Sequence, residues 1–143
     1  MGKFIDTLKK RGAYQYGSRA LGVPSESSDY DWALPMSIEN ADFLMSCGFM
    51  PDSSASGRSR RNVYGRCQTA RPVTDFPGMK DEQLCSYRKG NTNVVLMSAM
   101  LFEATKYATK MTATYPKEQL RNMDMRVMCY QRFSSEYAQM VKG

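Results

Sequence analysis

Tyr16-Gly17-Ser18-Arg19-Ala20-Leu21-Gly22 leads, through the loop Gly22–Ser28, into Ser28-Asp29-Tyr30-Asp31-Trp32. The residues before this stretch, Ala13-Tyr14-Gln15-Tyr16, alternate and are aromatic, which predicts a strand that ends at Gly17. Asp29 to Leu34 alternates polar and apolar residues and stops at Pro35, which predicts a second strand. Strand residues two apart project to one side, so Asp29 and Asp31 are expected to face the same way and Trp32 to point into the core. Two carboxylates placed so can share magnesium, a hard cation that favours oxygen ligands, or manganese. Gly17 permits a tight turn and close approach of the backbone to phosphate oxygens. The Ser18 hydroxyl and the amides after it can hydrogen-bond those oxygens, and Arg19 can add charge-assisted bonds.

Outward from this segment, Phe4, Ile5 and Leu8 give a short amphipathic helix over residues 3–11, with Gly12 as its stop. Ser37 is a candidate N-cap for a helix whose apolar face is Phe43, Leu44 and Cys47. Residues 50–60 and 70–80 read as loops, with a short strand at Asn62-Val63-Tyr64-Gly65 between them. Leu84 to Arg88 and Thr92 to Met97 read as strands joined by a turn at Lys89-Gly90-Asn91, the second of them buried. Helical spacing begins near Ser98, breaks at Tyr115-Pro116 and resumes from Leu120 to Tyr137. The methionines of these segments (Met100, Met111, Met123, Met125, Met128) read as core packing. The order predicts an α/β or α+β fold: a small mixed sheet with helices packed on it and a helical C-terminal end. It is expected to form a single domain over residues 1–143, with a core of 1–97 and C-terminal helices over 98–143.

The chain has 143 residues, 42% of them hydrophobic, and a net charge of +6. It contains no apolar run long enough to predict a membrane span, and no apolar segment at its start that would predict a secretory signal. No histidine is present, which excludes Ser-His-Asp and Cys-His catalysis and every His-ligated metal. Cys47, Cys67, Cys85 and Cys129 form no CxxC pair, so four reduced thiols in a cytoplasmic protein are expected. Basic charge suits a nucleotide, nucleic-acid or acidic-protein partner. Arg58, Arg60, Arg61, Arg66 and Arg71 surround Tyr64, and arginines interleaved with an aromatic can bind phosphates and stack a base.

Gly17-Ser18, ten intervening residues, then Asp29-Tyr30-Asp31 resembles the signature of the polymerase-beta nucleotidyltransferase superfamily. Its small antitoxin-like members share the form Gly-Ser-Arg-Ala-x-Gly followed by Ser-Asp-x-Asp. The resemblance implies a nucleotidyltransferase-type sheet, with Gly17 and Ser18 on a nucleoside triphosphate and Asp29 and Asp31 on magnesium. Arg88-Lys89-Gly90-Asn91-Thr92-Asn93-Val94-Val95-Leu96, followed by a helix and Lys117-Glu118-Gln119-Leu120-Arg121, is similar to small nucleotidyltransferases encoded by bacteriophages. Active members place a third carboxylate on a later strand. Here the position expected to face the metals is Asn93, which can ligate magnesium but cannot act as a base. Asp75, Asp81, Glu82 and Glu103 are candidate substitutes.

Two functions are therefore expected. One is transfer of a nucleoside monophosphate to a hydroxyl on RNA or a host protein, with Arg60, Arg61 or Lys89 neutralising phosphate charge. The other is a catalytically degenerate fold that binds a nucleotide, an RNA or a host protein in a phage regulatory or anti-defence role. A homo-oligomer is compatible with either.

Overall fold

Alternation along the central strands divides the interior in two, and the computed structural model describes this for residues 2–51, 71–72 and 82–142. The helices are α1 (Gly2–Lys10), α2 (Gly17–Ala20), α3 (Ile38–Ser46), α4 (Ala99–Thr112), α5 (Lys117–Leu120) and α6 (Met123–Lys142). The strands are β1 (Tyr14–Tyr16), β2 (Tyr30–Pro35), β3 (Met50–Pro51), β4 (Arg71–Pro72), β5 (Gln83–Lys89) and β6 (Thr92–Met97). The sheet runs β1-β2-β6-β5-β3, and β4 also pairs with β5. Only β2 and β6 are parallel; the other pairs are antiparallel. The α+β class read from the sequence holds, with helices on a mixed sheet and a helical C-terminal end.

One face of the sheet carries Trp32, Leu34, Cys85, Tyr87, Val94 and Leu96, which pack with Leu8 of α1 and Ala41 and Leu44 of α3. Phe4 stacks against Phe43 and Phe49, which ties α1 to α3. Ser37 caps α3 by accepting the Asn40 amide. The opposite face carries Ala33, Val95 and Met97 against Leu101, Phe102 and Ala104 of α4 and Ala138 of α6. Small residues on α4, Ala104 and Ala108, let α6 approach closely, and Phe133 and Cys129 fill the far end. The β5–β6 turn places Gly90 at φ +60 with no positive φ at Asn91, as a two-residue hairpin with glycine in its first position requires.

Several expectations need correction. Pro116 does end α4's extension, but α5 and α6 are separate helices: the chain turns at Asn122, whose Oδ1 accepts the Met125 amide and starts α6. Arg126 donates to the Leu120 and Arg121 carbonyls at the end of α5. Met123 and Met128 are exposed, not core, while Met100, Met111 and Met125 pack at the margins. Met50–Pro51 and Arg71–Pro72 pair with β5 where loops were expected, and proline is tolerated there because these are short edge segments. The Asn62–Gly65 strand lies outside the described residues. Cys85 is disulfide-bonded, so four reduced thiols is not the state found; Cys47 and Cys129 are free. Among the described residues no helix is long and apolar enough to cross a membrane.

Candidate functional site

Strand register aligns side chains in rungs across the face that looks toward α4 and α6. The first rung is Tyr16, Asp31, Asn93 and Arg88, from β1, β2, β6 and β5. The second is Tyr14, Ala33, Val95 and Ser86, and beyond it Met97 pairs with Leu84. Polarity thus falls off along the strands from a charged end to an apolar one. A cavity of about 470 Å³ opens over these rungs. Asp31, Asn93, Ser86 and Ser18 line its polar part, and Val95, Met97, Leu101, Met123 and Val127 its apolar part.

Gly17 closes the polar end. It sits at φ +79, and a Cβ on it would lie 2.8 Å from Asp31 Oδ2. A side chain there would have to displace the Asp31 carboxylate, and an L-residue would also be strained at that φ. The Gly17 amide donates to the Tyr130 hydroxyl at 3.0 Å. Thr109 Oγ1 donates to the Thr105 carbonyl, so its single proton is committed and Tyr130 must donate to it, at 2.9 Å. A directional chain therefore runs from the Gly17 turn through α6 into α4. Arg19 donates to the Ser28 carbonyl and lies over the Tyr30 ring, 3.9 Å from its centre. It clamps the loop between Gly17-Ser18 and the two aspartates.

Asp29 lies one residue before β2, and its Oδ2 takes an ion pair from Arg88 at 3.2 Å. Burial pushes the Asp31 carboxyl above the usual aspartate range; the nearby Asp29 charge adds to this. A hydrogen bond from the Asn93 amide and the charges of Arg88 and Arg19 oppose it. Burial foremost, then the Asp31 charge, raises the Tyr16 phenol strongly, so it stays protonated beside the carboxylate. Ser86, 2% exposed, donates to Asn93 Oδ1 at 2.9 Å.

The structure brings Gly17, Ser18, Asp31 and Asn93 to the cavity, with Asp29 held to the first rung through Arg88. It takes Lys89 elsewhere: by alternation that side chain belongs to the Cys85–Tyr87 face, and its Nζ donates to the Cys47 carbonyl at 2.8 Å. Arg60 and Arg61, with Arg58, Tyr64 and Arg66, lie outside the described residues, as do Asp75 and Asp81. Glu82 is a helix cap, its Oε1 accepting the Met100 and Leu101 amides, and so is committed away from the Asp31 rung. Glu103 is exposed on α4.

Ser86, Arg88 and Tyr130 are the residues that sequence reasoning missed. Ser86 and Arg88 had an available signal, since they alternate on a strand hairpinned to the one carrying Asn93. Tyr130 had none, because its contact spans 113 positions. The residue types suit a magnesium ion in kind: two carboxylates, and an amide oxygen at Asn93 that is here engaged with Ser86. In number they are sparse: among the described residues no group of three or more His, Cys, Asp or Glu gathers. Compared with protein-family models, with curated proteins and with solved structures, the chain matches none.

Proposed function

We propose that this is a nucleotidyltransferase-like protein that binds a magnesium–nucleoside triphosphate where Gly17-Ser18 meets Asp29 and Asp31. The observation that carries the reading is the fit of Gly17 against Asp31. A glycine whose missing Cβ would fall 2.8 Å from a carboxylate oxygen makes the Gly-Ser turn and the acid one unit. Asp29 and Asp31 would hold the cation, with the Asn93 oxygen as third donor. Bound magnesium would neutralise triphosphate oxygens and make the phosphorus open to attack. Ser18, which lines the cavity, and Arg88, now paired with Asp29 on the first rung, would bind and neutralise phosphate. The cavity beyond them, with apolar walls and a polar floor, suits a nucleoside. The acceptor in this reading is a hydroxyl on RNA or on a protein. Placement in the cytoplasm belongs to the same proposal.

A second reading, binding without turnover, is favoured by a specific observation. Asn93 cannot take a proton from an acceptor hydroxyl, and Asp29 is already paired with Arg88. Calorimetry with each magnesium–nucleoside triphosphate tests the shared part: binding is expected, and is lost in Asp29→Ala with Asp31→Ala. No binding by any nucleotide, or equal binding by the double variant, overturns it. Incubation with labelled triphosphate and lysate then separates the two readings, since label on an acceptor supports transfer and binding without label supports the degenerate module.

A further inference from the structure

We propose that Asn93 is a reversible ligand whose amide turns over when a divalent cation binds at Asp31, and that Ser86 is the positioning residue that makes the turn possible. This rests on the cation-binding reading above. An ionised carboxylate only accepts hydrogen bonds, so an asparagine beside it presents its nitrogen. The geometry agrees: Asn93 Oδ1 accepts from Ser86 Oγ at 2.9 Å on the β5 side, which leaves the amide nitrogen for the other side, where Asp31 is the register partner of Asn93 across β2 and β6. In that state Asn93 offers no oxygen to a cation.

A cation held by Asp29 and Asp31 reverses the preference, because it repels the amide N–H groups and attracts Oδ1. Half a turn about the last side-chain torsion exchanges the two ends. The nitrogen then needs an acceptor on the Ser86 side. An orphaned buried N–H is costly, and Ser86 is 2% exposed, so bulk water does not reach it freely. A hydroxyl both donates and accepts, and can serve either end of the amide by rotating. In the turned state the Ser86 proton is directed into the cavity that this residue lines. Alanine could serve neither orientation, and a buried lysine or arginine could serve only one. The pair thus supplies a third ligand that is withdrawn when the cation leaves.

The test is nuclear magnetic resonance of the full chain, labelled with nitrogen-15 and titrated with magnesium chloride. Without magnesium, the Asn93 side-chain amide protons are expected to show contacts toward Asp31 and Tyr16. At saturation they are expected to show contacts to the Ser86 β-protons instead. An amide that keeps its Asp31-facing contacts at saturation overturns the inference while leaving cation binding intact. Absence of any magnesium-dependent shift at Asp29 and Asp31 removes the cation reading itself, and this inference with it. A second measurement addresses Ser86. Magnesium affinity is expected to fall about tenfold in Ser86→Ala, the equivalent of one unpaired buried donor, and to return in Ser86→Thr. Equal affinity in all three proteins overturns the role of Ser86.

Discussion

The two faces of the sheet are built from the same strands and do different work. Toward α1 and α3, β2 and β6 present Trp32, Leu34, Val94 and Leu96, and β5 presents Cys85 and Tyr87, all buried. Toward α4 and α6, the intervening positions begin with Asp31, Asn93 and Arg88 and become apolar only at Ala33, Val95 and Met97. A period of two lets one strand supply packing to one side and chemistry to the other. The packed face can then fix the register of the polar rung, because a slip of one residue would bury Asp31 among the α1 and α3 side chains. The site is held by residues that never touch it.

The largest effect that can break this comparison comes from the packed face. Leu34 is fully buried there, and Leu34→Ala is expected to cost about 3 kcal/mol in denaturant unfolding. Asn93→Leu, on the other face, leaves the buried Ser86 hydroxyl unpaired and is expected to cost about 1 kcal/mol, well below Leu34→Ala, while weakening cation binding. Similar losses in the two variants would mean that the polar rung is as structural as the core.

Gly17→Ala comes next. The new methyl meets Asp31 Oδ2 and the residue must hold φ +79, so about 1–2 kcal/mol of stability is expected to be lost. Nucleotide binding should fall by far more than the stability change alone explains, since the methyl also displaces the carboxylate. Calorimetry on protein shown to be folded by circular dichroism separates the two. Wild-type affinity in a folded Gly17→Ala protein would detach the turn from the acid.

A smaller effect sharpens the electrostatic side of the comparison. The Asp31 carboxyl is raised in the folded protein above its value of 3.8, chiefly by burial. The folded state therefore holds this proton more tightly than the unfolded state does. Stability contributed by Asp31 is greatest below 3.8 and declines as pH rises from there through the raised value. Asp31→Asn should flatten stability against pH in that window and leave the protein more stable than wild type above it. Magnesium competes with the same proton, so magnesium affinity in the wild type should rise with pH across the window. A wild-type magnesium affinity independent of pH there would place the cation away from Asp31.

Much of this arrangement is legible in the sequence, and the parts that are not have physical reasons. Period-two alternation in Asp29–Leu34 and Thr92–Met97 locates β2 and β6, and the Gly90 turn joins β5 to β6. Parallel pairing of β2 with β6, which sets Asp31 beside Asn93, is a tertiary outcome that periodicity does not encode. Lys89 looked like a phosphate ligand by charge, but one position along a strand decides its face. Ser86 shares the alternation of β5 with Arg88, but its neutral hydroxyl gains a role only once Asn93 is known to lie near it on the next strand. The short pieces Met50–Pro51 and Arg71–Pro72 contain proline and too few residues to show alternation, so edge pairing alone defines them.

The smallest expected effect compares one substitution across the two faces. Tyr14 donates its hydroxyl to the Phe102 carbonyl at 2.6 Å on the α4 side. Tyr87 is fully buried on the α1 and α3 side, and among the described residues its hydroxyl has no hydrogen-bond partner. Tyr14→Phe removes a satisfied bond and is expected to cost about 1 kcal/mol. Tyr87→Phe keeps the ring and removes an unsatisfied group, so it is expected to be neutral or to stabilise by up to about 1 kcal/mol. Unfolding midpoints of the two variants measured side by side should therefore move apart from the wild type, one down and one level or up. A Tyr87→Phe protein destabilised as much as Tyr14→Phe would show that the packed face also satisfies a polar group, and that the division between core and site is less complete than the rungs suggest.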